Sequence, residues 1–251
     1  MDRKRLYVAT IAEDCVQLAA EYGLGLEFDE FTTAENMDGD AYIRVKRELE
    51  SKLNVSDRYL LHAPFAELCP AAIDPLVAEA AWTRYQQAAR IALEHGIKKM
   101  VVHSGYIRGI YYPEWYREKA AAFWRRFLSD KPEDFQLLVE NVMDDEPFPL
   151  LESVELTADP RCRICLDIGH AAVHGRAPVT DFISSFAPYL AHVHLHDNDY
   201  SFDRHLPLGQ GRLPFLKLLE AIEKTAAPTY TLENMTARRS VRWLLEQGIL
   251  K

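Results

Sequence analysis

Six successive apolar runs of this chain each carry residues that can bind a metal ion at or just after their ends. The runs are LLHAP, VVHSG, LLVEN, CLDIGH, HVHLHDN and YTLEN, and the segment DRH follows the fifth. They present nine candidate ligands: His62, His103, Glu140, Asp167, His170, His194, Asp203, His205 and Glu233. Imidazoles and carboxylates suit zinc, manganese or iron, and bridging carboxylates allow a cluster. The sequence therefore predicts a divalent-metal site, zinc or manganese, with one to three ions.

The apolar runs alternate with amphipathic stretches along the chain. Eight runs predict strands, at Leu6 to Ile11, Leu24 to Phe31, Tyr59 to Phe65, Met100 to Gly105, Phe135 to Val142, Ile164 to His170, Leu190 to His196 and Thr229 to Glu233. Between them lie segments such as PLVAEAAWTRYQQAARIALEHG, where apolar residues recur at helical spacing and Gly96 marks the expected helix end. Eight such units in 251 residues predict an α/β fold, a (β/α)8 TIM barrel. An open doubly wound sheet is the alternative.

The polar residues of the third to eighth predicted strands stand near the carboxyl end of each strand. In a parallel barrel these ends meet at one mouth, so ligands that are distant in sequence are expected to converge there. No Ser/Gly-rich linker, low-complexity run or change in composition divides the chain. We therefore expect residues 1–251 to form a single domain.

Composition narrows the classes of partner. The net charge of −9 and the pI near 5.5 make nucleic acid an unfavourable partner without excluding it. No apolar stretch reaches the roughly 18 residues that span a bilayer, and the start MDRKRLYVATIAEDC lacks a signal-peptide core. We therefore expect a cytoplasmic protein that does not enter membranes. Four cysteines do not make a disulfide framework, and Cys162 and Cys165, inside a predicted strand, are expected to be buried thiols.

Two segments each place a pair of candidate ligands close together. In CLDIGH, Asp167 and His170 are three residues apart where a strand leaves the barrel, so both can turn toward one cavity. In DRH, Asp203 and His205 have a spacing that lets both bind one ion while Arg204 points elsewhere. Arg204 is therefore a candidate for holding substrate.

The segment AHVHLHDN does not reveal its ligand unambiguously. His192, His194 and His196 share strand parity and are expected to face the same side, so alternation does not choose among them. Asp197 is a candidate for orienting one of these imidazoles from behind.

Two loops bear on substrate binding. In LPLGQGRLPF two glycines precede an amphipathic helix, where barrels often bind phosphate, although a tight turn explains them equally well. The stretch GYIRGIYYPEWYREK concentrates aromatic residues, including Tyr106 and Trp115, on a loop that we expect to overhang the site. These rings could stack on a sugar face or exclude water. The alternative is that they pack against neighbouring loops.

Taken in order, these residues resemble the xylose isomerase-like TIM barrel superfamily over nearly the whole chain. That superfamily contains sugar and sugar-phosphate isomerases and epimerases, and the DNA-repair enzyme endonuclease IV. In the epimerase branch, the motifs matched by Glu140, Asp167, His194 and Glu233 bind one divalent ion. The resemblance implies that the two glutamates also act as acid and base, and that His170 contacts substrate.

The endonuclease IV branch implies a three-zinc cluster, and the nine candidate ligands match all nine of its positions. The segments HAPFAEL, DIGH and DRHLPLGQG instead resemble proteins of the isomerase branch. Endonuclease IV typically has H-D-S-Y where this chain has His62, Ala63, Pro64 and Phe65.

The leading hypothesis is a metal-dependent isomerase or epimerase of a small sugar, sugar phosphate or related hydroxy-ketone. It would work through an enediolate, with Glu140 and Glu233 moving the proton. The residues expected to contact this sugar-like partner are His170, Arg204, Tyr106 and Trp115. The alternative is a multinuclear zinc phosphoesterase of endonuclease IV type, and a barrel that only binds metal or a sugar-like effector is a third hypothesis. A homo-oligomer is compatible with the sequence.

Overall fold

The structure is a computed structural model that describes residues 1–225 and 227–251. Within these residues, eight parallel strands form a closed barrel in chain order, and the last strand pairs with the first. The strands are β1 (Leu6–Ala9), β2 (Gly25–Phe28), β3 (Tyr59–His62), β4 (Lys99–His103), β5 (Gln136–Glu140), β6 (Cys162–Asp167), β7 (Leu190–Leu195) and β8 (Thr229–Leu232). The predicted (β/α)8 barrel is confirmed, and the closed sheet excludes the open doubly wound alternative.

Helices follow the strands and surround the barrel. They are α1 (Cys15–Tyr22), α2 (Gly39–Lys52), α3 (Pro75–Glu94), α4 (Pro113–Leu128), α5 (Phe148–Thr157), α6 (Ile168–His174), α7 (Val179–Phe186), α8 (Phe215–Thr225) and α9 (Arg238–Glu246). Short 3₁₀ turns occur at Arg3–Arg5 and Ala34–Met37. Among the described residues, none of the helices combines the length and apolarity that a membrane crossing requires.

The start and end of α3 show how local sequence sets these boundaries. The Asp74 carboxylate accepts a hydrogen bond from the Leu76 backbone N–H, at 2.8 Å, and Pro75 occupies the first helical position. After the helix, Gly96 has a positive φ of 71°, which glycine adopts without strain. The helix predicted from periodicity is therefore confirmed at both ends.

Alternate strand residues face opposite sides of the barrel wall. Outward residues such as Leu61, Val102 and Val139 join the apolar layer beneath the helices. A second apolar cluster joins inward residues: Tyr7, Leu60, Val101, Leu138 and Cys165. All four cysteines are free and buried, as expected for Cys162 and Cys165. The inward side chains at the carboxyl ends of the strands include buried histidines and carboxylates, and that mouth holds the candidate site.

Candidate metal centre

Inward-facing polar side chains cluster at the carboxyl end of the barrel. In the sheet register, His103 is the partner of Glu140 on the next strand, and Asp167 is the partner of His194. Because neighbouring parallel strands end at the same level, these side chains lie side by side. The structure brings all nine candidate ligands into one continuous cluster of three overlapping groups.

Glu140 lies at the centre of the cluster. Its Oε1 is 3.2 Å from His170 Nδ1 and 3.3 Å from His194 Nδ1. Its Oε2 is 3.3 Å from His62 Nε2 and 3.5 Å from His103 Nε2. Two atoms that bind one ion at about 2.1 Å lie roughly 3 to 4 Å apart. Glu140 would therefore be a ligand for a metal ion held with these histidines.

A second group surrounds His194 Nδ1. This nitrogen is 3.1 Å from Glu233 Oε1, 3.3 Å from Glu140 Oε1 and 3.8 Å from Asp167 Oδ2. The His194 side chain is fully buried. One imidazole nitrogen and three carboxylates from four different segments thus point at a common volume.

A third group gathers around Asp203. His170 Nε2 and His205 Nε2 each lie 3.2 Å from Asp203 Oδ2. The other nitrogen of His205 hydrogen-bonds the Glu233 carbonyl oxygen at 2.9 Å. His205 has a positive φ of 46°, an uncommon conformation for a residue with a side chain, and such strain concentrates at functional sites. The pairing of Asp203 and His205 expected from DRH is thus present in the structure.

Three buried polar atoms of the cluster have no hydrogen-bond partner in the part of the chain that the structure describes. They are His194 Nδ1, His196 Nδ1 and Asp203 Oδ1. Buried polar atoms are normally satisfied, and an atom left without a partner in a native structure calls for an explanation. A cation would satisfy a nitrogen lone pair or a carboxylate oxygen. The residues present therefore fit a divalent metal in two ways: they are the right types of ligand, and some of their buried atoms lack hydrogen-bond partners.

The two glutamates that face His194 differ in their electrostatic surroundings. Burial alone would raise the pKa of Glu140, but the charges of His194 and His103 hold it well below its usual range. Burial raises the pKa of Glu233 although His194 opposes the shift. Two carboxylates of one cluster thus have pKa values shifted in opposite directions.

The segment DIGH has a local explanation in the structure. The Asp167 carboxylate accepts a hydrogen bond from the His170 backbone N–H, at 2.6 Å, and so caps α6 while its side chain stays at the mouth. A Cβ atom at Gly169 would lie 2.0 Å from the His196 ring. Glycine is therefore required where α6 approaches that imidazole.

His196 and Glu27 belong to the site but were not predicted as ligands. His196 Nε2 contacts the Asp167 carboxylate at 3.0 and 3.1 Å, and the His196 ring stacks on His205 with centroids 3.9 Å apart. Glu27, inside β2, lies 3.1 Å from His194 Nε2. The expectation that alternate histidines of β7 face inward agrees with their burial and contacts. A carboxylate inside an apolar strand was the available signal for Glu27, the same signal that identified Glu140.

The role expected for Asp197 is wrong. Its carboxylate accepts hydrogen bonds from the backbone N–H groups of Asn198, Gly209, Gly211 and Leu213, at 2.9 to 3.1 Å. This side chain therefore organises the loop before α8 instead of orienting a histidine. Its negative charge fills the amide cluster of LPLGQGRLPF, so the tight turn is correct and the phosphate cradle is not.

The cluster opens into a cavity of about 380 Å³. Seven of the nine candidate ligands line it, all but Asp167 and His194, and its other walls are Ile11, Asp29, Thr32, Phe65 and Val142. Phe65 stacks on His103 with centroids 4.4 Å apart and supplies the aromatic wall. Desolvation raises the pKa of Asp29 to about 8. Phe65 and Asp29 were not predicted to face the site.

The cavity walls do not include Tyr106, Trp115 or Arg204, contrary to expectation. Tyr106 is buried and packs edge-to-face against Tyr116, and Trp115 Nε1 donates to the Ala71 carbonyl oxygen at 3.2 Å. Arg204 pairs with Asp199 at 3.2 Å on the surface. Each side chain has a partner outside the cavity, and the two aromatic residues pack against neighbouring segments, which is the alternative expected for this stretch.

The fold and the cluster define a TIM barrel with a candidate metal centre at the carboxyl end of its strands. The chain belongs to the family of xylose isomerase-like TIM barrels, whose sequence profile matches residues 16–247. An uncharacterized protein of Methanocaldococcus jannaschii is 28% identical over 225 residues, which cover 82% of this chain and 75% of the relative.

Solved structures extend the comparison. The TTHB071 protein of Thermus thermophilus, soaked with zinc chloride, is 26% identical, with a TM-score of 0.77 and coverage of 96% of this chain and 97% of that one. A D-tagatose 3-epimerase-like protein is 23% identical, with a TM-score of 0.76 and coverage of 96% of each chain. Endonuclease IV of Thermus thermophilus is 20% identical, with a TM-score of 0.62 and coverage of 97% of each chain. The last two share the fold.

Proposed function

We propose that this protein is a divalent-metal-dependent isomerase or epimerase of a small sugar, sugar phosphate or related hydroxy-ketone. The observation that carries the proposal is the pair Glu140 and Glu233, both of which line one cavity and flank His194 Nδ1 at 3.3 and 3.1 Å. The fold shared with a D-tagatose 3-epimerase-like protein supports it.

The metal would be held by Glu140, Asp167, His194 and Glu233, with the remaining candidate ligands available for further ions. When bound, it would stabilise the negative charge that develops on the substrate oxygens as a neighbouring C–H bond is broken. The clustered carboxylates and imidazoles of this chain are the donor set that such an ion requires.

The two glutamates would move the proton. One carboxylate takes it from the carbon beside the carbonyl, and the other returns a proton to the same or the adjacent carbon. Glu140 ends β5 and Glu233 follows β8, three strands further around the barrel, so the carboxylates reach the cavity from different directions. His170, which lines the cavity, would orient a substrate oxygen. Arg204, Tyr106 and Trp115 are left out because they do not line the cavity.

The test is proton exchange. Hexoses, pentoses and their phosphates are incubated with the protein and manganese, magnesium or zinc in D₂O, and deuterium at the reacting carbon is measured by NMR. Glu140→Gln should reduce exchange by about 10²- to 10⁴-fold, because a positioned acid–base group contributes that much. Glu152→Gln, the same change at the Arg117 ion pair on the surface, should leave exchange intact. Equal exchange in the parent and in Glu140→Gln would refute the assignment.

A zinc phosphoesterase of endonuclease IV type is the second candidate. It is favoured by one observation: the cluster offers groups for several ions, including His62 with His103 and Glu140, and His170 with Asp203 and His205. The net charge of −9 opposes binding to a DNA backbone. Three zinc ions per chain together with cleavage of abasic duplex DNA would establish it, and one ion without cleavage would eliminate it.

A further inference from the structure

We propose that Glu27 is a positioning residue that fixes the imidazole of His194 with Nδ1 directed at the metal centre. The inference rests on the metal centre of the proposed function and on no particular substrate. Glu27 lies in β2, faces the barrel interior and is fully buried. Its Oε1 accepts a hydrogen bond from His194 Nε2 at 3.1 Å.

The second oxygen of Glu27 is fixed as well. Oε2 accepts a hydrogen bond from the Thr231 hydroxyl and lies 3.3 Å from His192 Nε2. His192 Nε2 is also 2.8 Å from Thr231 Oγ1, and its Nδ1 is 2.6 Å from Thr229 Oγ1. Both carboxylate oxygens are therefore held, so Glu27 cannot rotate away from His194 without breaking buried hydrogen bonds.

This arrangement selects one form of the His194 ring. A carboxylate accepts hydrogen bonds and donates none, so Nε2 beside Glu27 must carry the hydrogen. A metal ion binds the neutral imidazole and displaces any proton from Nδ1, so the lone pair is then on Nδ1. This atom faces Glu140 and Glu233 and has no hydrogen-bond partner among the described residues. Glu27 thus presents a metal-binding lone pair where the carboxylates converge.

His194 differs in this respect from three other histidines of the cluster. His62, His170 and His205 direct Nδ1 to the backbone carbonyl oxygens of Ala63, Asn141 and Glu233, at 2.9 to 3.1 Å. His194 instead has a charged carboxylate behind it. A carboxylate behind a ligating imidazole fixes its tautomer and raises its basicity, and such partners are worth about 10- to 100-fold in metal affinity.

Zinc affinity tests the proposal. The parent, Glu27→Gln and Asp144→Asn are prepared metal-free, and zinc is titrated in competition with a chromophoric chelator. Glu27→Gln should weaken the tightest zinc site by about 10- to 100-fold. Asp144→Asn is the matched control, because Asp144 is equally buried and its partners are Ser104 and Val142. It should bind zinc as the parent does. Unchanged affinity in Glu27→Gln, or an equal loss in both variants, would overturn the proposal.

A second measurement needs no change at Glu27 and decides the matter if that variant does not fold. Long-range ¹H–¹⁵N spectra of the zinc-loaded protein report the protonated nitrogen of each imidazole, and His194→Asn assigns the His194 signals. The proposal predicts that His194 carries its hydrogen on Nε2 and zinc on Nδ1. A hydrogen on Nδ1, or zinc on Nε2, would contradict it.

The two proposals fail separately. A protein with the predicted zinc affinities and imidazole spectrum but without exchange on any sugar would reject the isomerase function and retain the role of Glu27. An active isomerase whose Glu27→Gln variant binds zinc with unchanged affinity would retain the isomerase function and reject the role of Glu27.

Discussion

Below the candidate metal centre, the barrel interior has an apolar side and a polar side. Two residues before the candidate ligands of β3 to β6 stand Leu60, Val101, Leu138 and Cys165, which pack with Tyr7. Two residues before His194 and Glu233 stand His192 and Thr231, which share buried hydrogen bonds with Glu27. The apolar side stabilises the fold by packing, whereas buried polar groups destabilise the fold unless they are hydrogen-bonded or paired. We therefore explain the buried polar side by its role in positioning His194.

Leu138→Ala should produce the largest change in the free energy of unfolding, because it removes packing from the apolar side. Leu138 is fully buried, and truncation of such a side chain to alanine costs about 2 to 5 kcal/mol. Denaturant unfolding of the metal-free protein measures the loss, and zinc titration should show a much smaller change in affinity than Glu27→Gln does. A variant of parental stability would show that the apolar side is not a packed core.

Zinc should stabilise the folded protein through the polar side. Free zinc at about 100 times its Kd raises the free energy of unfolding by about 2.7 kcal/mol if the unfolded chain does not bind it. Thermal unfolding with and without a chelator measures the difference. At the same free zinc, Glu27→Gln should gain less than the parent, and Leu138→Ala should gain as much. Equal gains in all three proteins would remove the distinction between the two sides.

Thr231→Val tests the polar network without touching the His194–Glu27 bond. The substitution deletes the hydroxyl that donates to Glu27 and leaves a buried carboxylate oxygen short of a donor. A buried group left unsatisfied costs about 1 to 3 kcal/mol, and chemical unfolding measures it. Thr180→Val, at an exposed position, is the control and should be nearly neutral. A network that tolerates Thr231→Val at no cost would not be holding Glu27.

Arg204→Ala should produce the smallest effect. The Arg204 side chain is half exposed and pairs with Asp199, and surface ion pairs contribute about 0 to 1 kcal/mol. Zinc affinity should not change, because Arg204 contacts neither side of the interior. Once a substrate is identified, its KM can be measured in Arg204→Ala. A raised KM would show that Arg204 contacts the substrate in the substrate-bound protein.

The strands and the meeting of the ligands could be predicted because both follow from local pattern. A strand buried on both faces reads as an apolar run, and the sheet register brings the ends of neighbouring runs together. His103 and Glu140 show this directly, since each ends its strand and they are partners in adjacent strands. The order and register of the strands are therefore enough to explain why these ligands meet at the carboxyl end of the barrel.

Glu27 was missed although the sequence contained its signal. It lies inside the run Leu24 to Phe31, whereas the predicted ligands stand at or just after the ends of their runs. A carboxylate in a buried strand needs a partner, and this holds for Glu27 as it does for Glu140.

The residues that the structure places away from their predicted contacts are Tyr106, Arg204 and Asp197, in loops, and Trp115, in the first turn of the helix α4 that follows a loop. A loop residue takes its contacts from neighbouring segments and from turn geometry, which hydrophobic periodicity does not encode. Asp197 shows this most clearly, because its carboxylate binds backbone N–H groups as far along the chain as Leu213.

The most direct test of the central claim is anomalous diffraction at the zinc edge from crystals of the zinc-loaded protein. We predict a zinc ion about 2.0 to 2.2 Å from His194 Nδ1 and within bonding distance of carboxylate oxygens of Glu140 and Glu233. His194 Nε2 should remain hydrogen-bonded to Glu27. Absence of zinc from this volume in fully loaded crystals, or zinc bound to His194 Nε2, would contradict it.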